Sequence, residues 1–135
     1  MNTPTIRRRV ATFATAGAVA ATVAVAGPAL ASRAGTPGLH YGKCTGHGIV
    51  ALNLQNSDPG YLESGFEVDG MRPGGLWSVL LTHDGAVYYR GTAKVLADGS
   101  FSIDKVVRNL AGVDRFAGTA RNRTTGQVCT VSATL

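Results

Sequence analysis

The pattern of hydrophobic and polar residues changes after residue 31. Residues 10–26 are almost entirely small and apolar, whereas the following part of the chain contains short segments in which apolar and polar residues alternate. Alternation with a period of two predicts β-strands, because successive side chains of a strand point to opposite faces. No segment after residue 31 keeps an apolar period of 3.6 residues, so we expect essentially no helix in that part.

Seven segments with strand-like patterns are separated by turn-forming residues. These segments cover residues 49–54, 66–69, 76–82, 87–95, 101–107, 115–121 and 127–133. Pro59-Gly60, Asp84-Gly85 and Asp98-Gly99 favour turns between them, since proline presets φ and glycine accepts a positive φ. Seven short strands in a domain of this size predict an all-β fold, a single antiparallel β-sandwich of about seven strands, and leave a small closed β-barrel as the alternative.

The apolar stretch near the N-terminus has the features of an export signal. Arg7–Arg9 precede it, and the small-x-small triplet Ala29–Ala31 follows it. A basic start, an apolar middle and a small-residue exit are typical of a secretory signal peptide, which we predict over residues 1–31 with cleavage between Ala31 and Ser32. The stretch is shorter than the ~20 residues that a membrane span needs. We therefore expect secretion, by the general route rather than the twin-arginine route, and no membrane association after cleavage.

Cleavage at this point changes the charge of the chain. The full sequence has a net charge of +5, but loss of Arg7–Arg9 leaves 10 basic residues against 8 acidic ones, a net charge of +2.

Residues 32–43, rich in glycine and proline, predict a flexible leading segment, and residues 44–135 form the predicted sandwich domain. Nucleic-acid-binding proteins cluster many cations on one face, whereas the remaining cations are spread along this sequence, so nucleic acid is not an expected partner.

Two cysteines, Cys44 and Cys129, lie near opposite ends of the predicted domain. In an exported protein an even number of cysteines predicts a disulfide, which would close a loop of about 85 residues here. A metal site is the alternative, because Cys44 and His47 have a C-x-x-H spacing and His40 is close by. Structural zinc needs four ligands and the sequence has no second paired motif, so it favours the disulfide, with no metal or other cofactor. His40 and His47 are then predicted as loop residues.

The sequence offers few candidates for catalysis. It contains three histidines and no G-x-S-x-G segment, and no nucleophile beside an oriented base is apparent. Glu63, Glu67 and Asp69 alternate along one predicted strand and could supply the paired carboxylates that glycoside cleavage needs. Alternating acids are more typical of the solvated face of a strand, so we predict no catalytic residue.

The predicted architecture resembles an immunoglobulin-like or fibronectin-type-III-like module. Trp77 on the third predicted strand matches the core tryptophan of the immunoglobulin pattern, and the segment from Phe116 to Gly126 is similar to the sixth strand and following turn of fibronectin-type-III domains. The cysteines depart from the family, because the antibody-type bridge joins the second and sixth strands. The resemblance implies an architecture and no particular activity, since this fold hosts many functions.

The sequence therefore favours a secreted, non-catalytic module that binds an extracellular protein or a cell-wall component. A small secreted enzyme is the alternative, as is a protease inhibitor that presents residues 69–73 as an exposed loop. Both alternatives would need a site that the sequence does not display.

The hairpin around Asp84-Gly85 allows a sharper prediction. A two-residue loop would pair Leu81 with Tyr88 and place the charge of Arg90 in the core, where it is costly. A three-residue loop over 83–85 avoids this and is preferred, and a slip of one residue would exchange the two faces. It pairs Leu81 with Val87 and Val79 with Tyr89 on the core face. The outward residues, which form the candidate partner surface, are then Leu76, Leu80, Tyr88 and Arg90.

Overall fold

The computed structural model describes residues 37–135. The predicted signal peptide, its cleavage site and residues 32–36 of the leading segment lie outside the described residues. Within this range the chain forms nine β-strands and no helix, so the described part has no helix long and apolar enough to cross a membrane. The strands are β1 (Gly38–Tyr41), β2 (Lys43–Cys44), β3 (Ile49–Asn56), β4 (Tyr61–Asp69), β5 (Leu76–His83), β6 (Ala86–Lys94), β7 (Phe101–Arg108), β8 (Arg115–Asn122) and β9 (Val128–Thr134).

The strands form two antiparallel sheets, which confirms the predicted sandwich architecture. One sheet has four strands in the order β1-β3-β4-β7, and the other has five in the order β2-β9-β8-β5-β6. Over residues 37–135 no strand pairing joins the two sheets, so they do not form the closed barrel. The seven predicted strands correspond to β3–β9. Strand β4 begins at Tyr61 rather than at residue 66, because Ser64 takes an inward position and interrupts the apolar pattern.

The core lies between the inward faces of the two sheets. Trp77 and alternate residues after it on β5 point inward, and Trp77 packs on Phe101 of β7 with ring centroids 6.0 Å apart. Burying a large apolar side chain contributes roughly 1.5–3 kcal/mol. Gly118 of β8 lies against Phe66 of β4, and a Cβ there would come within 2.6 Å of the phenylalanine ring. The absence of a side chain at residue 118 therefore allows the two sheets to approach closely.

The segment predicted as flexible contributes two strands. Strand β1 pairs with β3 along Gly38–Tyr41, and β2 pairs with β9, so the chain changes sheets at Gly42. The Gly42 amide donates to the Val50 carbonyl at 2.9 Å, and a Cβ on Gly42 would overlap the Thr130 carbonyl oxygen. Glycine is needed here for this close approach. The sequence did not indicate strands in residues 38–43, because glycine permits this crossing as well as a loose chain.

The predicted disulfide between Cys44 and Cys129 is present. The two cysteines lie directly opposite each other on β2 and β9, within one sheet, and Cys129 is fully buried. The alternative of a metal site at Cys44 and His47 is wrong, because the Cys44 sulfur is bonded to Cys129. A buried disulfide of this kind is compatible with an extracellular protein.

The predicted register of the β5–β6 hairpin was wrong. The loop contains only two residues, Asp84 and Gly85, with φ of 49° and 80°, as a type I′ turn requires. His83 pairs with Ala86, but beyond Thr82 the pairing shifts by one residue, so that Leu81 pairs with Tyr89.

The shift is a β-bulge at Tyr88, and it exchanges the faces assigned to the neighbouring residues. Val87, predicted in the core, is 49% exposed, whereas Tyr88, predicted outward, is half-buried and bonded to the inward Ser64. The extra residue returns Arg90 to the outer face, opposite Leu80. The bulge thus keeps the charge of Arg90 out of the core while the loop has only two residues. Without a bulge, the same outcome would require a longer loop.

Candidate functional site

The register of the five-stranded sheet aligns residues that are distant in the sequence. Lys43 of β2 pairs with Thr130 of β9, which pairs with Thr119 of β8. Thr119 pairs with Leu80 of β5, which pairs with Arg90 of β6. A row from Lys43 to Arg90 therefore crosses the outer face of all five strands, roughly 19 Å at the usual spacing of neighbouring strands.

The charged residues exposed on this outer face are cations. The strands of the sheet contain no aspartate or glutamate, and their exposed cations, with one directly after β8, define what we call the basic face. These cations are Lys43, Arg90, Lys94, Arg115, Arg121 and Arg123. Like charges gathered on one surface produce a potential that attracts anions. The sequence prediction missed this cluster because the cations are dispersed along the chain and only strand pairing brings them together.

The basic face contains a shallow depression of about 450 Å³. Arg90, Arg121 and Arg123 line it together with Leu80 and with hydroxyl side chains such as Thr119. Guanidinium groups donate paired hydrogen bonds to carboxylates and phosphates, and hydroxyls can donate or accept beside them. The depression therefore combines charge and hydrogen-bonding groups suited to an anionic chain.

Three residues of the predicted partner surface lie on the basic face. Leu76 is 44% exposed, Leu80 is partly exposed, and Arg90 is exposed. Tyr88 is the exception, because the bulge turns its side chain inward, where its ring meets the edge of Phe116 with centroids 6.1 Å apart. The predicted apolar pair of Leu80 and Tyr88 does not form, and Leu80 is paired with Arg90 instead.

The outer face of the four-stranded sheet carries the opposite charge. Glu63, Glu67 and Asp69 of β4 are exposed there, as expected for a solvated strand face. Asp104 of β7 pairs with Gly65, and a Cβ on Gly65 would lie 3.0 Å from the Asp104 carboxylate. The Asp104 carboxylate thus occupies the gap that the glycine leaves in the row of acids. Over residues 37–135 the sandwich therefore has one basic outer face and one outer face on which these four acids outnumber the single cation Arg108.

A histidine–aspartate pair lies at the end of β5. His83 Nε2 is 2.6 Å from Asp114 Oδ1, and the two residues are only 7% and 3% exposed. The His83 ring stacks on Phe116 with centroids 4.2 Å apart, and Asp114 also accepts from the Leu110 amide at 3.3 Å. Sequence analysis placed His83 in a hairpin and missed this pair. The alternation of β5 could have revealed the pair, because His83 is the next inward position after Leu81. A buried histidine needs a polar partner.

The same end of the sandwich holds the candidate metal ligands of the described residues. Atoms of His83, Asp84 and Asp114 lie within 4.8 Å of one another. Each already has a partner, however, because Asp84 accepts from the Arg115 amide at 2.7 Å while Asp114 bonds His83. The cluster therefore works as a set of internal hydrogen bonds.

Of the other histidines, His47 lies in the predicted loop, whereas His40 lies on β1 and not in a loop.

The part-buried hydroxyl pair of Tyr88 and Ser64 gives a pH-dependent prediction. Burial raises the pKa of the Tyr88 phenol above its ordinary value of 10.0, and the Ser64 hydrogen bond opposes part of this rise. The unfolded chain therefore loses this proton at lower pH than the folded chain. The contribution of Tyr88 to the free energy of unfolding is complete below pH 10.0 and is lost as the pH rises through the folded pKa.

We expect Tyr88→Phe to flatten the alkaline loss of stability in urea unfolding measured across this range. Tyr61→Phe is the control, because Tyr61 is 41% exposed. An alkaline slope of wild-type steepness in Tyr88→Phe would contradict the assignment, whatever the change in stability at neutral pH.

Comparisons with protein families, with curated proteins and with solved structures found no match. The likeness to immunoglobulin-like and fibronectin-type-III-like modules is therefore one of architecture: two antiparallel sheets around one core. The disulfide differs from the immunoglobulin bridge, because it joins neighbouring strands of a single sheet.

Proposed function

We propose that this chain is a secreted, non-catalytic binding module that holds an anionic polymer of the cell wall or extracellular space on its basic face. The observation that carries the proposal is the presence of six exposed cations, and no acidic strand residue, on one side of the sandwich. Export is supported by the basic and apolar leader of the sequence and by the buried disulfide.

The arrangement of the cations favours a polymer over a small ion. The row from Lys43 to Arg90 extends roughly 19 Å across the sheet, so its two terminal cations could contact two separate charges of one ligand. Between these two cations the row contains Thr119, Thr130 and Leu80, whose small or apolar side chains leave the surface open. An anionic chain lying across the strands would therefore meet a cation at each end of the row and the hydroxyls of Thr130 and Thr119 between them.

The opposite charge of the other sheet supports an oriented mode of binding. Glu63, Glu67, Asp69 and Asp104 would repel an anionic polymer from the outer face of the four-stranded sheet. Although the net charge is small, the unequal distribution of acidic and basic residues directs an anion toward the basic face. This electrostatic attraction weakens as the salt concentration rises. An immunoglobulin-like relationship, proposed on the position of Trp77, would suit such a module because that architecture hosts many binding functions.

Cosedimentation with cell walls of the producing organism tests the proposal. We expect the secreted protein to bind intact walls, to be released by salt, and to bind weakly to walls stripped chemically of their anionic polymers. The double variant Arg90→Gln/Arg121→Gln should bind about tenfold more weakly, since an exposed ion pair contributes up to ~1 kcal/mol.

Arg108→Gln is the control, because it removes a cation from the opposite sheet and should leave binding unchanged. Equal binding to stripped walls, or equal loss in the control, would overturn the proposal. A preference for duplex DNA over the wall polymer would assign the basic face to a different partner.

A further inference from the structure

A second concave site lies at the other end of β5 from His83. Its volume is about 440 Å³, and residues of three loops line it around Trp77. His47 comes from the turn after β2, Arg72 and Gly75 from the loop before β5, and Asn122 from the end of β8. This cleft is lined by different residues from those of the depression on the basic face.

The indole nitrogen of Trp77 is a buried donor without a partner. The side chain is 1% exposed, and within residues 37–135 its Nε1 atom makes no hydrogen bond. A buried N–H group that lacks an acceptor destabilises the fold, and buried tryptophan N–H groups usually find one. The unused donor of Trp77 therefore indicates a position where an acceptor can bind.

Gly75 leaves space beside this donor. A Cβ at Gly75 would lie 3.5 Å from Trp77 Nε1 and 3.6 Å from Asn122 Nδ2, so two nitrogen donors border the space that a side chain would fill. The Asn122 amide is held in this orientation, because its Oδ1 accepts from the amides of Thr124 and Thr125, both at 2.9 Å. The nearby Arg72 carbonyl already accepts from the Gly75 amide at 3.5 Å. An incoming oxygen acceptor would meet both donors.

The charge of the lining selects the class of acceptor. The cleft contains the exposed Arg72 and no aspartate or glutamate, while Met71 and Trp77 supply a buried apolar wall. Charge-assisted hydrogen bonds to a carboxylate are about twice as strong as those to a neutral carbonyl. We infer that this cleft binds the carboxylate of a small organic acid or of a peptide C-terminus, with Trp77 and Asn122 as donors and Arg72 as the counter-charge.

The experiment uses the fact that Trp77 is the sole tryptophan of the chain. In the nitrogen-labelled secreted protein, the indole N–H gives a single resonance that reports directly on the site. We expect acetate and N-acetylglycine to shift it saturably, and N-acetylglycinamide, the neutral counterpart, to leave it in place at equal ionic strength. Tighter binding of N-acetylglycine than of acetate would assign the site to peptide termini, and the reverse order to free acids.

Two variants block the site without disturbing its frame. Gly75→Ala fills the space, and its Cβ would meet no atom closer than 3.5 Å. Asn122→Asp keeps the oxygen that accepts from Thr124 and Thr125 but replaces the donor by a second oxygen. Each should weaken carboxylate binding at least about tenfold, as expected for loss of a hydrogen bond to a charged group.

Arg72→Gln should weaken binding several-fold, whereas Arg108→Gln, which removes a cation from the opposite sheet, should not change it. An indole resonance that no carboxylate shifts, or that the neutral amide shifts equally, would overturn the inference. Binding of wild-type strength in both Gly75→Ala and Asn122→Asp would overturn it as well. None of these results depends on the basic face.

Discussion

Replacing both Cys44 and Cys129 with alanine is expected to lower the free energy of unfolding by about 4–5 kcal/mol. The bridge joins residues separated by 85 positions, so its removal restores a large amount of conformational freedom to the unfolded chain. Alanine is chosen because Cys129 is fully buried, where a serine hydroxyl would need a partner. Small domains have total stabilities of about 5–15 kcal/mol, so the loss should be evident in urea unfolding.

The wild-type protein treated with reductant is the matched control. It loses the same cross-link but keeps both sulfur atoms, so the difference between reduced protein and variant measures the cavity that alanine leaves. We expect the reduced protein to account for most of the loss. A reduced protein with the stability of the oxidised one would contradict the assigned role of the bridge.

The bridge also bears on the basic face. Strand β2 has only two residues and is held to β9 by the pairs of Lys43 with Thr130 and of Cys44 with Cys129. Because Lys43 is the first cation of the row across the sheet, the neighbouring disulfide fixes one end of that row. Strand β2 thus contributes both to the stability of the fold, through Cys44, and to the proposed binding surface, through Lys43.

Local patterns predicted the elements that depend on local chemistry. The alternation around Trp77 identified β5 and its inward face, and the even number of cysteines identified the bridge. Asp84-Gly85 identified the hairpin, since this pair of residues accepts the positive φ values of a tight turn. These features follow from residues that are neighbours in the chain or from a pairing with one possible solution.

Features that depend on distant pairing could not be predicted in the same way. Gly42 has the composition of a flexible link, yet it packs against the backbone of Thr130, which is 88 residues later in the sequence. The bulge at Tyr88 reconciles a two-residue turn with the exclusion of Arg90 from the core. The sequence prediction compared only a two-residue loop and a three-residue loop, each followed by regular pairing, and so did not include a bulge. Both outcomes are decided by packing rather than by local preference.

The basic face shows the same limit for function. Lys43 and Arg90 are 47 positions apart in the sequence, and their place in one row depends on the order of five strands. A count of charges along the chain gives a nearly neutral domain and no binding surface. Within the described range, the order of the strands confines every acidic strand residue to the four-stranded sheet, and the five-stranded sheet has only cations among its charged strand residues.

Replacing His83 with phenylalanine is expected to cost about 3 kcal/mol of unfolding free energy. The substitution keeps an aromatic ring against Phe116 but removes the partner 2.6 Å from the Asp114 carboxylate, which would then be buried with only the Leu110 amide at 3.3 Å. A buried carboxylate that loses its partner pays most of its desolvation cost. Urea unfolding of the variant and of wild type measures the loss.

A second substitution separates this effect from a change of packing. Asp114→Asn removes the charge while its oxygen can still accept from the Leu110 amide, so His83→Phe/Asp114→Asn leaves no unpaired carboxylate in the core. We expect the double variant to be more stable than His83→Phe alone, with a coupling of about 1–3 kcal/mol in the double-mutant cycle. Additive losses would show instead that His83 stabilises the fold through its stacking on Phe116 and not through Asp114.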